Sequence, residues 1–266
     1  MGSTASRCYQ CGTNVNFSFA AGSKFLSRFL PTASPASYMV LTLSCLLYAA
    51  TLLATIHEGG LSATAGGGLF GLGAIGGPVL MRFGASIPFP FALAQPWRLV
   101  MAIFLHGGLL HIGMNMWVLM DIGPVVEEVY GSARFFFLYV ATGIAGFLLS
   151  AATGHVSVGG SASLLGLIGV MLAITTNRDS AAMKVLRGQL IRWLIYIGIF
   201  GLVFHGVDNM AHLGGLASGF ALGKMMADRL PSGPAENRRA QILGWATGAA
   251  VVLSIGLMLW NSFRSG

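Results

Sequence analysis

Residues 135–152 read FFFLYVATGIAGFLLSAA, eighteen positions without a charged side chain. A helix over that run rises about 27 Å, close to the ~30 Å hydrocarbon core of a bilayer. The stretch therefore predicts a membrane-spanning helix, and the rest of the chain agrees with it. Of 266 residues 55% are hydrophobic before the 38 glycines are counted, and only 9% are charged, against ~25% in an ordinary soluble domain. So few charges cannot furnish a water-facing surface, which excludes an ordinary soluble enzyme and a disordered chain. The expected surroundings are a lipid bilayer.

Outward from this run, six more apolar stretches qualify as spans: 38–56, 109–122 with its flanks, 161–176, 193–204 with its flanks, 209–224 and 242–260. Several are interrupted or bordered by His, Asn, Arg or Asp, and polar residues at membrane depth usually have a task. The expected fold is an all-α polytopic membrane protein. Its parts are an N-terminal tail over 1–35, a helical core over 36–226, a linker over 227–241 and a seventh membrane helix with a short tail over 242–266. The glycine-rich stretch from His57 to His106 reads as a long loop, interfacial or partly embedded, and not as a further span.

The formal charge of +7 does not point to nucleic acid, because the basic residues are scattered between apolar runs instead of clustered on one face. With the N-terminus in the cytoplasm, twelve Lys and Arg fall inside and only Arg82, Arg98 and Arg264 outside, a clear positive-inside bias. The expected location is a bacterial inner membrane, N-terminus cytoplasmic and C-terminus outside. No compact apolar core with a small-residue cleavage site is visible over 1–35, so no cleaved signal is expected. Cys8 and Cys11 have the spacing of half a zinc ribbon, but a closed site needs four ligands and the tail offers two. No metal and no cofactor are expected.

Three polar groups stand at the spans' edges. His111 and Asn115 lie four residues apart, so one helix face presents both, with His106 in the loop above. Ser161 follows Gly159 and Gly160 at the opening of a helix, where the backbone approach is unobstructed and the first-turn amides lack partners. Such a serine suits a nucleophile, and equally a small packing residue or an N-cap. His212, Gly215 and Gly219 share a face, which lets a partner helix come close to an imidazole able to take a proton near neutral pH. Alternatively these polar groups only bond neighbouring helices. Asp208, four residues before His212, reads as a helix cap sooner than as the third member of a triad.

The elements Trp97-Arg98, His106-x4-His111-x3-Asn115, Gly123-x3-Glu127, Gly159-x-Ser161 and Asn209-x-Ala211-His212-Leu213-Gly214-Gly215 stand in the order and spacing of the rhomboid intramembrane serine proteases, which the chain resembles from about residue 95 to 220. The resemblance implies a six-helix bundle, here with one added C-terminal helix. It implies a Ser-His dyad with Ser161 as nucleophile and His212 as general base, and oxyanion donors at Asn115, His111 and the Ser161 amide. His106, Gly159 and Gly160 would support them, and Trp97, Arg98 and Glu127 would be structural. The implied partner is a single-pass transmembrane protein that enters near the second and fifth helices; the oligomeric state stays open. Two positions depart from the family pattern. Ala162 replaces the glycine that usually follows the serine, adding a methyl near the oxyanion site, and Leu165 stands where an aromatic ring commonly packs on the histidine. The competing readings are a non-cleaving rhomboid-like binder of membrane proteins, disfavoured because Ser161 and His212 are both kept, and a transporter, for which paired halves are missing.

Overall fold

The computed structural model describes residues 34–65, 71–176, 178, 180–203, 206–226 and 228–264, and among these residues the chain forms ten α-helices and one short 3-10 helix, Leu61–Thr64. The α-helices are α1 (Pro35–Gly59), α2 (Gly77–Phe83), α3 (Phe91–Ala94), α4 (Trp97–Met101), α5 (Leu109–Tyr130), α6 (Ser132–Ala152), α7 (Ser161–Thr175), α8 (Ala181–Val203), α9 (Asn209–Met225) and α10 (Pro234–Arg264). A helix covers each of the seven expected stretches, as α1 and α5 to α10. Cys8 and Cys11, and the glycines at 66–68, lie outside the described residues.

Most helices run past the apolar stretches that announced them. α5 continues from Ile122 to Tyr130, and α10 begins at Pro234. Hydropathy marks the hydrocarbon-embedded part of a helix, whereas backbone hydrogen bonding continues into the headgroup zone. The expected linker over 227–241 is therefore corrected: its second half is the opening of α10. Pro234 sits where a helix tolerates proline, and Glu236 bridges the turn before it, accepting from the Ser232 amide at 2.8 Å and pairing with Arg229 at 2.8 Å.

Among the described residues, five helices are long and apolar enough to cross a membrane, while α7 and α9 have 15 and 17 residues. α7 rises only about 22 Å, less than the hydrocarbon thickness. It is the central helix, buried along almost its whole length, and α9 is packed more closely against it than any other pair. The cause is a stripe of glycines on α9. A Cβ on Gly215 would stand 2.0 Å from the Ala162 carbonyl oxygen, on Gly219 1.9 Å from that of Gly166, and on Gly223 2.7 Å from that of Val170. Both rows advance by four residues, so the two backbones touch turn by turn, the close approach that small residues permit in lipid. Gly166 and Gly143 serve the α6–α7 contact likewise, facing Thr142 and Ser163.

The far end of the bundle is held by Glu127, 4% exposed. Its carboxylate accepts from the amides of Ala36 and Ser37 at 2.9 and 2.8 Å and from the hydroxyls of Ser37 and Ser132 at 2.8 and 2.6 Å. It thus supplies the acceptors that the first turn of α1 lacks, at the helix end that favours negative charge. At the Ser161 end, Arg98 binds Gln95 through Nε at 2.7 Å and the Met81 carbonyl through Nη1 at 2.6 Å, and lies 4.7 Å from the Trp97 ring centre. α10 packs on α6 and α4, bracing this loop from behind.

Two outcomes follow. Gly219→Ala puts a methyl on the Gly166 carbonyl and is expected to lower stability by about 1–3 kcal/mol, read as a fall in the thermal unfolding temperature in detergent. Glu127→Ala strands two buried amides and is expected to cost about 3 kcal/mol, with Glu127→Gln milder in the same measurement.

Candidate active site

Ser161 is the first residue of α7. The chain reaches it through Gly159, whose φ of +134° is a conformation that L side chains rarely adopt. The Gly159 amide donates to the Ala102 carbonyl at 2.8 Å, and Ser86 and Ser157 exchange backbone bonds of 3.0 and 3.2 Å, so the loop before α7 is stitched to the α1–α5 segment. The serine hydroxyl meets His212: Oγ and Nε2 are 2.7 Å apart.

His212 lies in the first turn of α9. Asp208 caps this helix through Oδ1, accepting from the Met210 and Ala211 amides at 3.1 and 3.0 Å, while the Ser150 hydroxyl bonds its Oδ2. Asp208 is thus the cap of α9, and among the described residues its carboxylate bonds these groups and not the His212 ring. The depth of the imidazole is set by the cap above it and its lateral position by the glycine contacts of Ala211 and Gly215 with Gly146 and Ala162.

His111 faces the serine across the bare side of Gly159, where a Cβ would stand 2.6 Å from His111 Nε2 and 3.8 Å from Ser161 Oγ. Its Nδ1 accepts from the Gly107 amide at 3.3 Å. An amide can only donate, so the ring proton sits on Nε2 and is presented towards the space above the serine. His106, fully buried, shows the opposite arrangement: Nδ1 lies 3.2 Å from the Phe104 carbonyl, which can only accept, leaving Nε2 as a bare acceptor. Its ring meets His111 edge-on, with centres 5.1 Å apart. Asn115, one turn below His111, donates through Nδ2 to the His111 carbonyl at 2.8 Å, which leaves its second N–H uncommitted. Gly160 offers its bare side to the Asn115 carboxamide oxygen, 3.5 Å from where a Cβ would stand.

A cavity of about 870 Å³ is lined by His111, Gly159, Ser161, Ala162, Asp208 and His212, among others. A second, of about 100 Å³, touches Ser161 and His212 from the side between α5 and α8, bounded by Met114, Asn115, Tyr196 and Phe200. Ala162 is 1% exposed and its methyl abuts the place of a Cβ on Gly146. The methyl expected near the oxyanion site is thus turned against α6, and Gly146 makes room for it. Leu165 is buried in the core at 4% exposure.

One polar link escaped the sequence reading. Asp121, inside α5, accepts from Gln189 Nε2 at 2.8 Å and from the Trp193 indole at 2.6 Å, joining α5 to α8, and the Trp117 ring meets Trp193 edge-on at 5.4 Å. A carboxylate in an apolar run was the available signal, but its partners lie some seventy residues away on a helix whose facing side the sequence does not reveal.

The family model described as Rhomboid domain matches residues 93–229, just over half of the chain and the whole of this site. The chain belongs to the rhomboid family. It is a multi-pass integral membrane protein of a family of intramembrane serine proteases. It is 33% identical over 186 residues to Rhomboid-like protease 2 of Toxoplasma gondii, covering 66% of this chain and 64% of that protein. Identity to Rhomboid protease GluP of Bacillus subtilis is 33% over 142 residues, 53% of this chain and 28% of that one. Identity to RHOMBOID-like protein 6, mitochondrial, of Arabidopsis thaliana is 35% over 153 residues, 56% of this chain and 50% of that one. The chain thus spans less than two thirds of the length of each.

The tautomers are open to measurement. Nitrogen-15 NMR of the histidine side chains at neutral pH is expected to show His111 carrying its proton on Nε2 and His106 on Nδ1; the reverse assignment for His111 removes its N–H from the serine's side.

Proposed function

We propose that this rhomboid is an active intramembrane endopeptidase working with a Ser161–His212 dyad. The observation that carries this reading is the 2.7 Å contact between the two side chains at the start of a helix too short to cross the hydrocarbon. His212 takes the hydroxyl proton as Ser161 Oγ attacks the scissile carbonyl carbon. The resulting oxyanion is met by the His111 Nε2–H, the free N–H of Asn115 and the Ser161 amide, one of the orphan donors of the α7 first turn. Each such donor is worth ~3–4 kcal/mol of transition-state stabilisation. The proton then passes from His212 to the departing amine, and water entering the larger cavity hydrolyses the acyl-enzyme by the same two groups.

The substrate in this reading is a single-pass transmembrane protein. Backbone carbonyls of an intact membrane helix are occupied by their own hydrogen bonds, so a cleavable segment must unwind locally. The smaller cavity between α5 and α8 is the side from which such a segment reaches Ser161. With twelve of fifteen basic residues assigned to the cytoplasmic side, the N-terminus faces the cytoplasm and the Ser161 end the outer face of a bacterial inner membrane. Cleavage then releases an outer fragment.

Purified protein is expected to react with a fluorophosphonate at Ser161 and to cut a transmembrane reporter. Ser161→Ala and His212→Ala are expected to fold with unchanged unfolding temperature but lose at least about 10⁴-fold of the cleavage rate. Undiminished cleavage by Ser161→Ala ends the assignment, and labelling without reporter cleavage restricts the substrate range.

A further inference from the structure

Three polar oxygens converge on the bare side of Gly160, the residue before the serine. A Cβ built there would stand 2.7 Å from the Tyr139 hydroxyl, 3.5 Å from Asn115 Oδ1 and 3.5 Å from the Ile103 carbonyl oxygen. The Tyr139 hydroxyl and Asn115 Oδ1 are both buried and have no hydrogen-bond partner among the described residues. Neither can turn away to find one. The Tyr139 ring is fully buried and packed between Phe104 and Phe135, with ring centres at 6.2 and 6.3 Å, and the Asn115 amide is tied to the His111 carbonyl.

Buried polar atoms left without partners are rare in folded proteins, and one donor and two acceptors gathered beside one glycine are the partner set of a single water. Such a water accepts from the Tyr139 O–H and donates its two hydrogens to Asn115 Oδ1 and the Ile103 carbonyl, which has a lone pair to spare. The consequence lies on the other side of the carboxamide. Held by one hydrogen bond, the Asn115 amide pivots about it; held at Oδ1 as well, it keeps its free N–H aimed at the space above Ser161. We propose that Tyr139, through one buried water seated against Gly160, is a positioning residue for the Asn115 oxyanion donor. The inference rests on the oxyanion role given to Asn115 above.

It also gives Gly160 a role apart from backbone freedom, since its φ of −72° is open to any residue. A Cβ there would crowd the Tyr139 hydroxyl at 2.7 Å and disturb this polar set.

A double-mutant cycle on the full chain, with kcat and KM measured separately on a transmembrane reporter, tests the idea. Tyr139→Phe keeps the ring and removes only the hydroxyl. It is expected to lower kcat about tenfold, the worth of one good hydrogen bond, with KM and unfolding temperature unchanged, and to have no further effect in the Asn115→Ala background. An equal loss in both backgrounds, or no loss in the parent, overturns the positioning role. If Asn115→Ala itself leaves kcat unchanged, the oxyanion reading falls first and takes this one with it. A high-resolution crystal structure of the unaltered protein supplies a readout that does not depend on variant folding. One ordered water within hydrogen-bond reach of Tyr139, Asn115 and Ile103 is expected, and its absence from the density overturns the proposal.

Discussion

The contact between the backbones of α7 and α9 is what the rest of the molecule depends on. Gly215, Gly219 and Gly223 each face a carbonyl of α7 at a distance where a methyl group would collide. In lipid no hydrophobic force draws two helices together, so association rests on dispersion and close fit, and glycine gives the closest fit available. A dyad spread over two helices needs this closeness. His212 is one turn before Gly215 on α9, and Ser161 immediately precedes Ala162, the residue that Gly215 touches. Widening the helix spacing by the thickness of a side chain would turn the 2.7 Å contact of Ser161 and His212 into a gap.

The same arrangement explains why polar groups are tolerated at this depth. Burying imidazole, amide and hydroxyl groups in an apolar surrounding is costly unless each finds a partner. Here Gly107, Phe104 and the His111 carbonyl hold His111, His106 and Asn115, and Asp208 occupies the orphan amides of α9. The helix that carries the serine is short, and the 159–160 loop enters the bundle to meet it. Irregular backbone within a membrane is stable only when protein or a water-filled cavity surrounds it, and α4, α5 and α6 provide that surrounding. The peripheral devices serve this centre. Glu127 joins α1, α5 and α6 at the far end, Arg98 ties the loop at the near end, and α10 leans on α4 and α6.

Much of this was legible in the residues. Long uncharged runs mark spans because hydrocarbon admits few charges, and spacing puts His111 with Asn115 on one helix face and Ser161 at a helix start, while only the resemblance to the rhomboid family joined them with His212 into one candidate site. The glycine face of α9 was legible as far as Gly219. Helix ends were less so, since hydropathy is silent about hydrogen bonding beyond the hydrocarbon; α10 begins eight residues before its apolar run at Ile242 for that reason. The methyl of Ala162, expected near the oxyanion site, is turned against α6, and this was not legible because the residue that receives it, Gly146, belongs to another helix.

By itself the sequence determined that this chain lives in a membrane and where its seven long apolar helices run, though not the three short α-helices between His57 and His106. These are properties of composition and of short-range periodicity, set by the cost of charge in lipid and by the pitch of a helix. Tertiary structure alone decided which groups touch. The Ser161–His212 hydrogen bond spans 51 positions, and the Asp121 link to Gln189 and Trp193 spans 68 and 72. The gathering of Tyr139, Asn115 and Ile103 around Gly160 is equally a matter of helix rotation and depth. Those are set by the fit of all the helices together, a sum of many weak contacts that no local pattern of residues records.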